Sequence, residues 1–438
     1  MKSAQAGLAD YRRAWEYLDS LQFFKIKLGL DSMARFLERL GNPQQRLRFV
    51  HVAGTNGKGS TAAVLLSILS QAGYRVGLYT SPHLSCVRER FRINREYIDQ
   101  QAFTRHAAAI YQVLAGEQIT YFEFTTALAL LWFAEQRVDL AILEVGMGGR
   151  LDATNVITPR VGVITNVSLD HQAYLGDTLA AVASEKAGII KSGVPLVSGV
   201  AADEAGQVVA QRCRELAAPL YLLGRDFSWQ ANQAAPGSWD YRGMADNFNA
   251  LWSPLRGRHQ LVNQSLALAV LELLATELPV PETALRAGLA RSSWPGRLEL
   301  LKMGPPADER RVLLDGAHNP AGVAELVAAL QGDFSYRRLV VVWAGMADKD
   351  LAAGLALMAP IASVFIFTRP DAERSATAEE LRELLPPEQR RQALVAAGVV
   401  EALELACRQS EADDLVVVAG SLYLVGAARQ HLAGELVG

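Results

Sequence analysis

Residues 49–72, FVHVAGTNGKGSTAAVLLSILSQA, constrain the fold more than any other stretch of this chain. An apolar segment of strand length, FVHVA (49–53), runs directly into Gly54, Gly57 and Gly59. Val64, Leu65, Ile68, Leu69 and Ala72 then recur at helical spacing, with Gly73 placed to end the helix. A strand that enters a glycine turn and leaves as a helix belongs to a parallel sheet with helical crossovers. The three glycines permit positive φ and close backbone approach, so successive N–H groups can face an anion. The helix, expected to start near Ser60, points its N-terminus at the same place, and Lys58 adds a positive charge. The stretch departs from the strict phosphate-loop pattern in two places. Gly59 stands where that pattern has Ser or Thr, and Val52 where it has a leading glycine.

The rest of the chain continues in kind. Apolar runs at 74–80, 138–145, 161–167 and 194–198 read as strands, with helical stretches at 122–136 and 178–190 between them. This alternation predicts a parallel sheet covered on both faces. Around 224–260 the texture changes, and Trp229, Trp239 and Tyr241 among turn residues read as a small antiparallel element before a helix at 261–278. SSWPGRLEL (292–300) is the expected boundary, because a second α/β series begins beyond it. Its strands are expected at 311–316, 338–344, 363–368 and 414–419. Asn319-Pro320 reads as an N-cap with proline at N1, and Thr377 to Glu380 as a capping box. The fold class is therefore α/β, in two domains. Residues 1–295 form a phosphate-loop domain with a parallel sheet, and 296–438 a smaller Rossmann-like domain.

Composition excludes more than it assigns. With 43 basic and 46 acidic residues in 438, nothing points to nucleic acid or an anionic membrane as partner. The densest basic run, Arg88 to Arg95, reads as a solvated face. Three scattered cysteines are neither a disulfide framework nor a zinc site. The N-terminus lacks a signal-peptide core, and no apolar run of about 18 residues is present. A soluble, cytoplasmic monomer is the expectation.

Open parallel sheets bind ligands beyond the carboxyl ends of their strands. Three further signals fall there: Ser81 in TSPHL, Glu144 in ILEVGMGGRLDATN, and Asp170-His171 in SLDHQAYLG. A hydroxyl, a carboxylate and an imidazole beside a phosphate loop suit a mostly oxygen-ligated magnesium ion. Lys186 in SEKAGI, taken by itself, reads as an ordinary solvent-facing helical lysine.

GTNGKGS, TSPHL, YFEFTT (121–126), LEVGMGGRLDATN, LDHQAYLG, SEKAGI and LDGAHNP occur in this order, and the set resembles the folylpolyglutamate synthase family of the Mur ligases. The resemblance runs from KLGLD (27–31) to AGSLYLVG (419–426). It implies that Thr55, Asn56, Gly57, Lys58, Gly59 and Ser60 hold ATP phosphates, and that Asn263, Arg297 and Asp315 contact the nucleotide. Ser60, Ser81, Glu144 and His171 would hold magnesium, and a carbamylated Lys186 a second ion. Lys58, Glu144, His171, Lys186 and His318 would carry the catalysis. The pterin would meet Ile26, Lys27 and Leu28, then Tyr121, Phe122, Glu123 and Phe124, and Leu151, Asp152 and Ala153. Lys27 departs from the acidic residue common in relatives. The implied activity is ATP-dependent addition of L-glutamate to dihydropteroate and to reduced folyl-glutamates through an acyl phosphate. Folylpolyglutamate synthesis alone is the alternative. A peptidoglycan-type Mur ligase would place a further domain before the loop, and a non-catalytic nucleotide-binding protein would not need the strand-end set.

Overall fold

The computed structural model describes residues 8, 10–21, 29–305, 309–370 and 375–434. The segment Ile26 to Leu28, expected at the pterin, lies outside the described residues.

The first sheet takes eight strands. They are β1 (Phe49–Ala53), β2 (Val76–Tyr79), β3 (Phe91–Ile93), β4 (Glu96–Tyr97), β5 (Leu140–Glu144), β6 (Val161–Ile164), β7 (Leu196–Ser198) and β8 (Leu220–Leu222). Their order is β4-β3-β2-β5-β1-β6-β7-β8, parallel except where β3 pairs with β2 and β4. Every residue of β1 and β5 is buried, as expected for central strands with apolar layers on both faces. Register places Val52 opposite Glu144 and Val163, so the ends of β1, β5 and β6 stand level. The chain leaves β1 between strands reached by opposite crossovers, and the glycine loop therefore opens at the switch point of the sheet.

The expected antiparallel element is β9 (Ser228–Ala231), β10 (Trp239–Arg242) and β11 (Asn247–Leu251). Trp239, Tyr241 and Leu251 join the apolar cluster over the helices Lys58–Gln71 and Arg258–Leu274.

The second sheet holds β12 (Glu299–Met303), β13 (Arg310–Leu314), β14 (Leu339–Trp343), β15 (Val364–Phe367), β16 (Leu394–Val395) and β17 (Leu415–Ala419). Its order is β12-β13-β17-β14-β15-β16, parallel but for the β12–β13 hairpin, with a cluster on each face. Asn319 caps the helix Pro320–Gly332 by accepting from the Gly322 N–H at 2.8 Å, and Thr377 and Glu380 form their capping box.

The basic run, and Lys186 taken by itself without the resemblance, depart from the solvent-facing reading. The helix Leu179–Ala187 buries Lys186 to 3 % exposure instead of turning it to solvent. The basic run folds inward: Arg88, Glu89 and Arg90 form a buried 3-10 turn leading into β3.

Candidate active site

The glycine loop is shaped by its neighbours. Gly54 (φ 148°) and Gly57 (φ 81°) adopt conformations that side chains resist, whereas Gly59 is helical. The helix begins at Lys58, two residues earlier than its spacing suggested. Gly59 is constrained by space, because a Cβ there would lie 2.6 Å from the Trp294 ring. A Cβ on Gly57 would lie 2.3 Å from Asn263 Oδ1, and one on Gly54 1.8 Å from Thr165 Oγ1.

The loop backbone divides its donors. The N–H groups of Thr55 and Asn56 go to Asn166, at 3.0 and 2.9 Å, and the Thr55 hydroxyl donates to Ser168 O at 3.0 Å. The N–H groups from Gly57 to Ser60 open the helix and have no intrahelical acceptor. An anion therefore meets Gly57 to Ser60, while Thr55 and Asn56 brace the loop from beneath. Ser60 is itself buried, within 3.3 Å of the Gln260 side-chain nitrogen, and Gln260 accepts from Asn263 at 3.1 Å.

Two lysines converge on one carbonyl. Lys58 Nζ donates to Gly54 O at 3.1 Å and Thr55 O at 3.0 Å, and Lys186 Nζ donates to Gly54 O at 3.0 Å. Burial lowers the pKa of Lys58 against the pull of Glu144 and Asp170. Burial, with the charge of Lys58, brings Lys186 down to about 7. Glu144 moves the other way, raised by burial although Lys58 and the Ser81 N–H favour its ionised form. That N–H donates to Glu144 Oε2 at 3.2 Å, which brings two of the expected metal residues together.

His171 shares no hydrogen bond with that pair among the described residues; its partners are Asp170 and Lys349. It sits in the left-handed region at the start of a short helix, held down to about 4 by burial and the charge of Lys349, and so is neutral at physiological pH. Its Nε2 lies 3.4 Å from Lys349 Nζ. Among the described residues no group of three or more His, Cys, Asp or Glu gathers as a metal cage.

The second sheet closes the cleft from the far side. His318 Nδ1 donates to Gly316 O at 2.8 Å, which turns Nε2 to 3.6 Å from Asp170 Oδ2. Asn319 donates to Asp170 Oδ2 at 3.0 Å, and Lys349 bonds Asp170 Oδ1. Burial would raise the pKa of Asp170, but His318, His171 and Lys349 together lower it. Asn56 and Asn319 exchange side-chain hydrogen bonds, each 3.1 Å, across the cleft. Asp315 accepts from the N–H groups of Leu298 and Ala317, both at 2.9 Å, so its carboxylate ties the connecting segment to β13. Arg297 packs on the Gly316 backbone, and its charge reaches Lys58 and Glu144.

The acceptor segments divide into scaffold and surface. Glu123 completes a capping box with Thr120 and accepts from Ser32 at 2.7 Å, while Phe124 is fully buried. Asp152 accepts from Gly146 and Met147 N–H, both at 3.0 Å, and from the Thr154 N–H at 3.0 Å. Tyr121, Phe122 and Leu151 keep accessible surface, and Ala153 packs in the core. Sequence reasoning passed over Asn166, Gln260, Trp294 and Lys349. Asn166 lies at the end of an expected strand and could have been found there; nothing local marks the others.

Two family models match the chain, the Mur ligase middle domain over residues 52–271 and the Mur ligase glutamate ligase domain over 296–422. A dihydrofolate synthase/folylpolyglutamate synthase of Bacillus subtilis is 35% identical over 434 residues, spanning 96% of this chain and 99% of its own. E. coli FolC in complex with DHPP and ADP superposes with a TM-score of 0.88 at 32% identity, covering 98% and 99% of the two chains. A bifunctional folylpolyglutamate synthase/dihydrofolate synthase with Mn, AMPPNP and L-glutamate bound gives 0.86 at 32% identity, over 98% of each chain.

Proposed function

This chain belongs to the folylpolyglutamate synthase family of the Mur ligases and is an ATP-dependent ligase, and we propose that it joins L-glutamate both to dihydropteroate and to reduced folyl-glutamates. One observation carries the reading. Free N–H donors and two lysines, one buried and one half-buried, meet at a single strand end, facing His318, Asn319 and Lys349 across the cleft. That arrangement suits charge building on a phosphoryl group between an acceptor on one side and an amine on the other.

The cradle fits a nucleotide triphosphate because no side chain could replace Gly54, Gly57 or Gly59 without collision. The donor set fits a divalent ion only in part: one carboxylate, one neutral imidazole and the hydroxyls of Ser60 and Ser81 leave positions that phosphate and water would fill. Magnesium, when bound, would neutralise phosphate charge; Ser81, Glu144 and His171 would hold it. The acceptor carboxylate takes the terminal phosphoryl group, releasing ADP and leaving an acyl phosphate. Lys58 and the N–H groups of Gly57 to Ser60 offset the charge that develops. The glutamate amine then attacks the acyl carbon, loses a proton, and expels phosphate. Closure across Asn56–Asn319 keeps water from the acyl phosphate. Asn263, Arg297 and Asp315 are assigned to the nucleotide and His318 to the nucleotide or glutamate. Ile26 to Leu28, Tyr121 to Phe124 and Leu151 to Ala153 are assigned to the pterin, within which Tyr121, Phe122 and Leu151 offer the contact surface. Lys186, its pKa lowered by burial to about 7, would in its neutral form add CO₂ with loss of a proton and become an anionic carbamate.

Division at 295/296 agrees with the two separate sheets. A cytoplasmic monomer is consistent with three free cysteines, and among the described residues no helix is long and apolar enough to cross a membrane. The test is one assay with ATP, magnesium, labelled glutamate and either acceptor. Incorporation with both is expected; incorporation with one removes the dual activity, and with neither overturns the reading.

A further inference from the structure

Arg90 is a buried cation with no anion beside it. It is 7 % exposed, and no carboxylate among the described residues comes within ion-pair distance. Its Nε donates to His83 Nδ1 at 2.9 Å, and its guanidinium lies 5.2 Å from the centre of the Tyr121 ring. Because Arg90 donates to it, His83 Nδ1 is the acceptor and carries no proton, so that partner is a neutral imidazole. A desolvated guanidinium whose direct contacts are a neutral imidazole and an aromatic ring is costly unless an anion completes it. Its neighbours in the run are engaged elsewhere: Arg88 faces Ile98 O and the Tyr11 ring, and Arg92 bonds Asn94 O and covers Tyr97.

Its position says which anion. The charge of Arg90 reaches Glu144 on the phosphate-loop side and Tyr121 on the acceptor side. The latter opens the helix Tyr121–Glu135, whose first N–H groups lack intrahelical acceptors and favour negative charge. Arg90 thus stands between the phosphate-loop side and the segment assigned to the acceptor.

The two acceptors differ there. Dihydropteroate ends in a single carboxylate, which is consumed in the reaction. A folyl-glutamate ends in two, and the one not activated must be held as an anion. We propose that Arg90, with His83 and Tyr121 orienting it, receives this second carboxylate and so serves glutamate chain extension rather than first addition. This rests on the reading of the cleft as a glutamate ligase site.

The test compares Arg90→Gln and Arg90→Lys with the unmodified protein, each given dihydropteroate and a reduced folyl-monoglutamate. A rise of about tenfold or more in KM for the folyl acceptor is expected for Arg90→Gln, the usual size of a lost charge-assisted hydrogen bond. KM for dihydropteroate should stay within about threefold, and Arg90→Lys should recover part of the folyl loss. A folyl acceptor whose non-reacting carboxylate is an amide provides an arm independent of the variants' folding. The unmodified protein should bind it about tenfold more weakly or worse, and Arg90→Gln should no longer distinguish acid from amide. Equal losses with both acceptors, unchanged KM for the folyl acceptor, or indifference of the unmodified protein to the amide would overturn the assignment. Turnover of neither acceptor by the unmodified protein would instead sink the ligase reading itself.

Discussion

At the scale of single residues, the centre of the site is a conflict between two ammonium groups. Lys58 and Lys186 both donate to Gly54 O, in surroundings that disfavour either charge. Two cations on one carbonyl are stable only if one gives up its proton or an anion arrives. The proposed carbamate would do both, converting Lys186 from competitor to counter-charge. Lys186→Ala is therefore expected to lower turnover by about a hundredfold or more, on the scale of losing an electrostatic group from a reacting centre. Added formate or acetate should return part of the rate by occupying the vacated space as an anion. A near-normal rate in Lys186→Ala would refute the assignment.

At the scale of elements, the helix Tyr121–Glu135 links folding to the acceptor site. Its capping box joins Thr120 and Glu123, with the Thr120 hydroxyl donating to Glu123 Oε2 at 2.7 Å and accepting from the Glu123 N–H at 3.2 Å. Tyr121 is the next residue, so fraying of this turn would move the ring that faces Arg90. Thr120→Ala should cost about 1 kcal/mol of stability. It should also raise KM for acceptor while KM for ATP stays level; thermal melts and paired kinetics would show it, and an unchanged acceptor KM would count against the link. Most elements were legible because buried strands read as apolar runs between turn residues, as at FVHVA and VDLAILEV. The short partners β3, β4, β8, β12 and β16 were not, since two to five residues carry no periodic signal of their own. Glu144 and Ser81 were singled out because strand ends mark ligand positions, and a hydrogen bond joins them. The basic run around Arg90, and Lys186 when taken by itself, were misread for a shared reason. Charge predicts solvent exposure unless distant segments fold over it, and those segments lie far away in sequence.

At the scale of the molecule, the two sheets meet through Asp170. One carboxylate gathers Asn319, His318 and Lys349, all from the segment beyond the expected boundary. Lys349 and Asp170 are both nearly buried, so removing the charge leaves an ammonium in poor solvent. Asp170→Asn should loosen closure, seen as a larger average radius in solution scattering with ATP bound, and should lower kcat by about tenfold or more while ATP affinity holds. An unchanged radius and kcat would show that Asp170 does not govern closure. Gly59 and Trp294 also meet from positions far apart in the chain. Its meaning is historical. A lineage carrying this pair cannot drift to the common phosphate-loop pattern one substitution at a time. Serine at 59 first would strike the indole, and a smaller residue at 294 first would leave a void over the loop. The unusual glycine and a tryptophan in another part of the chain are therefore expected to change jointly or not at all.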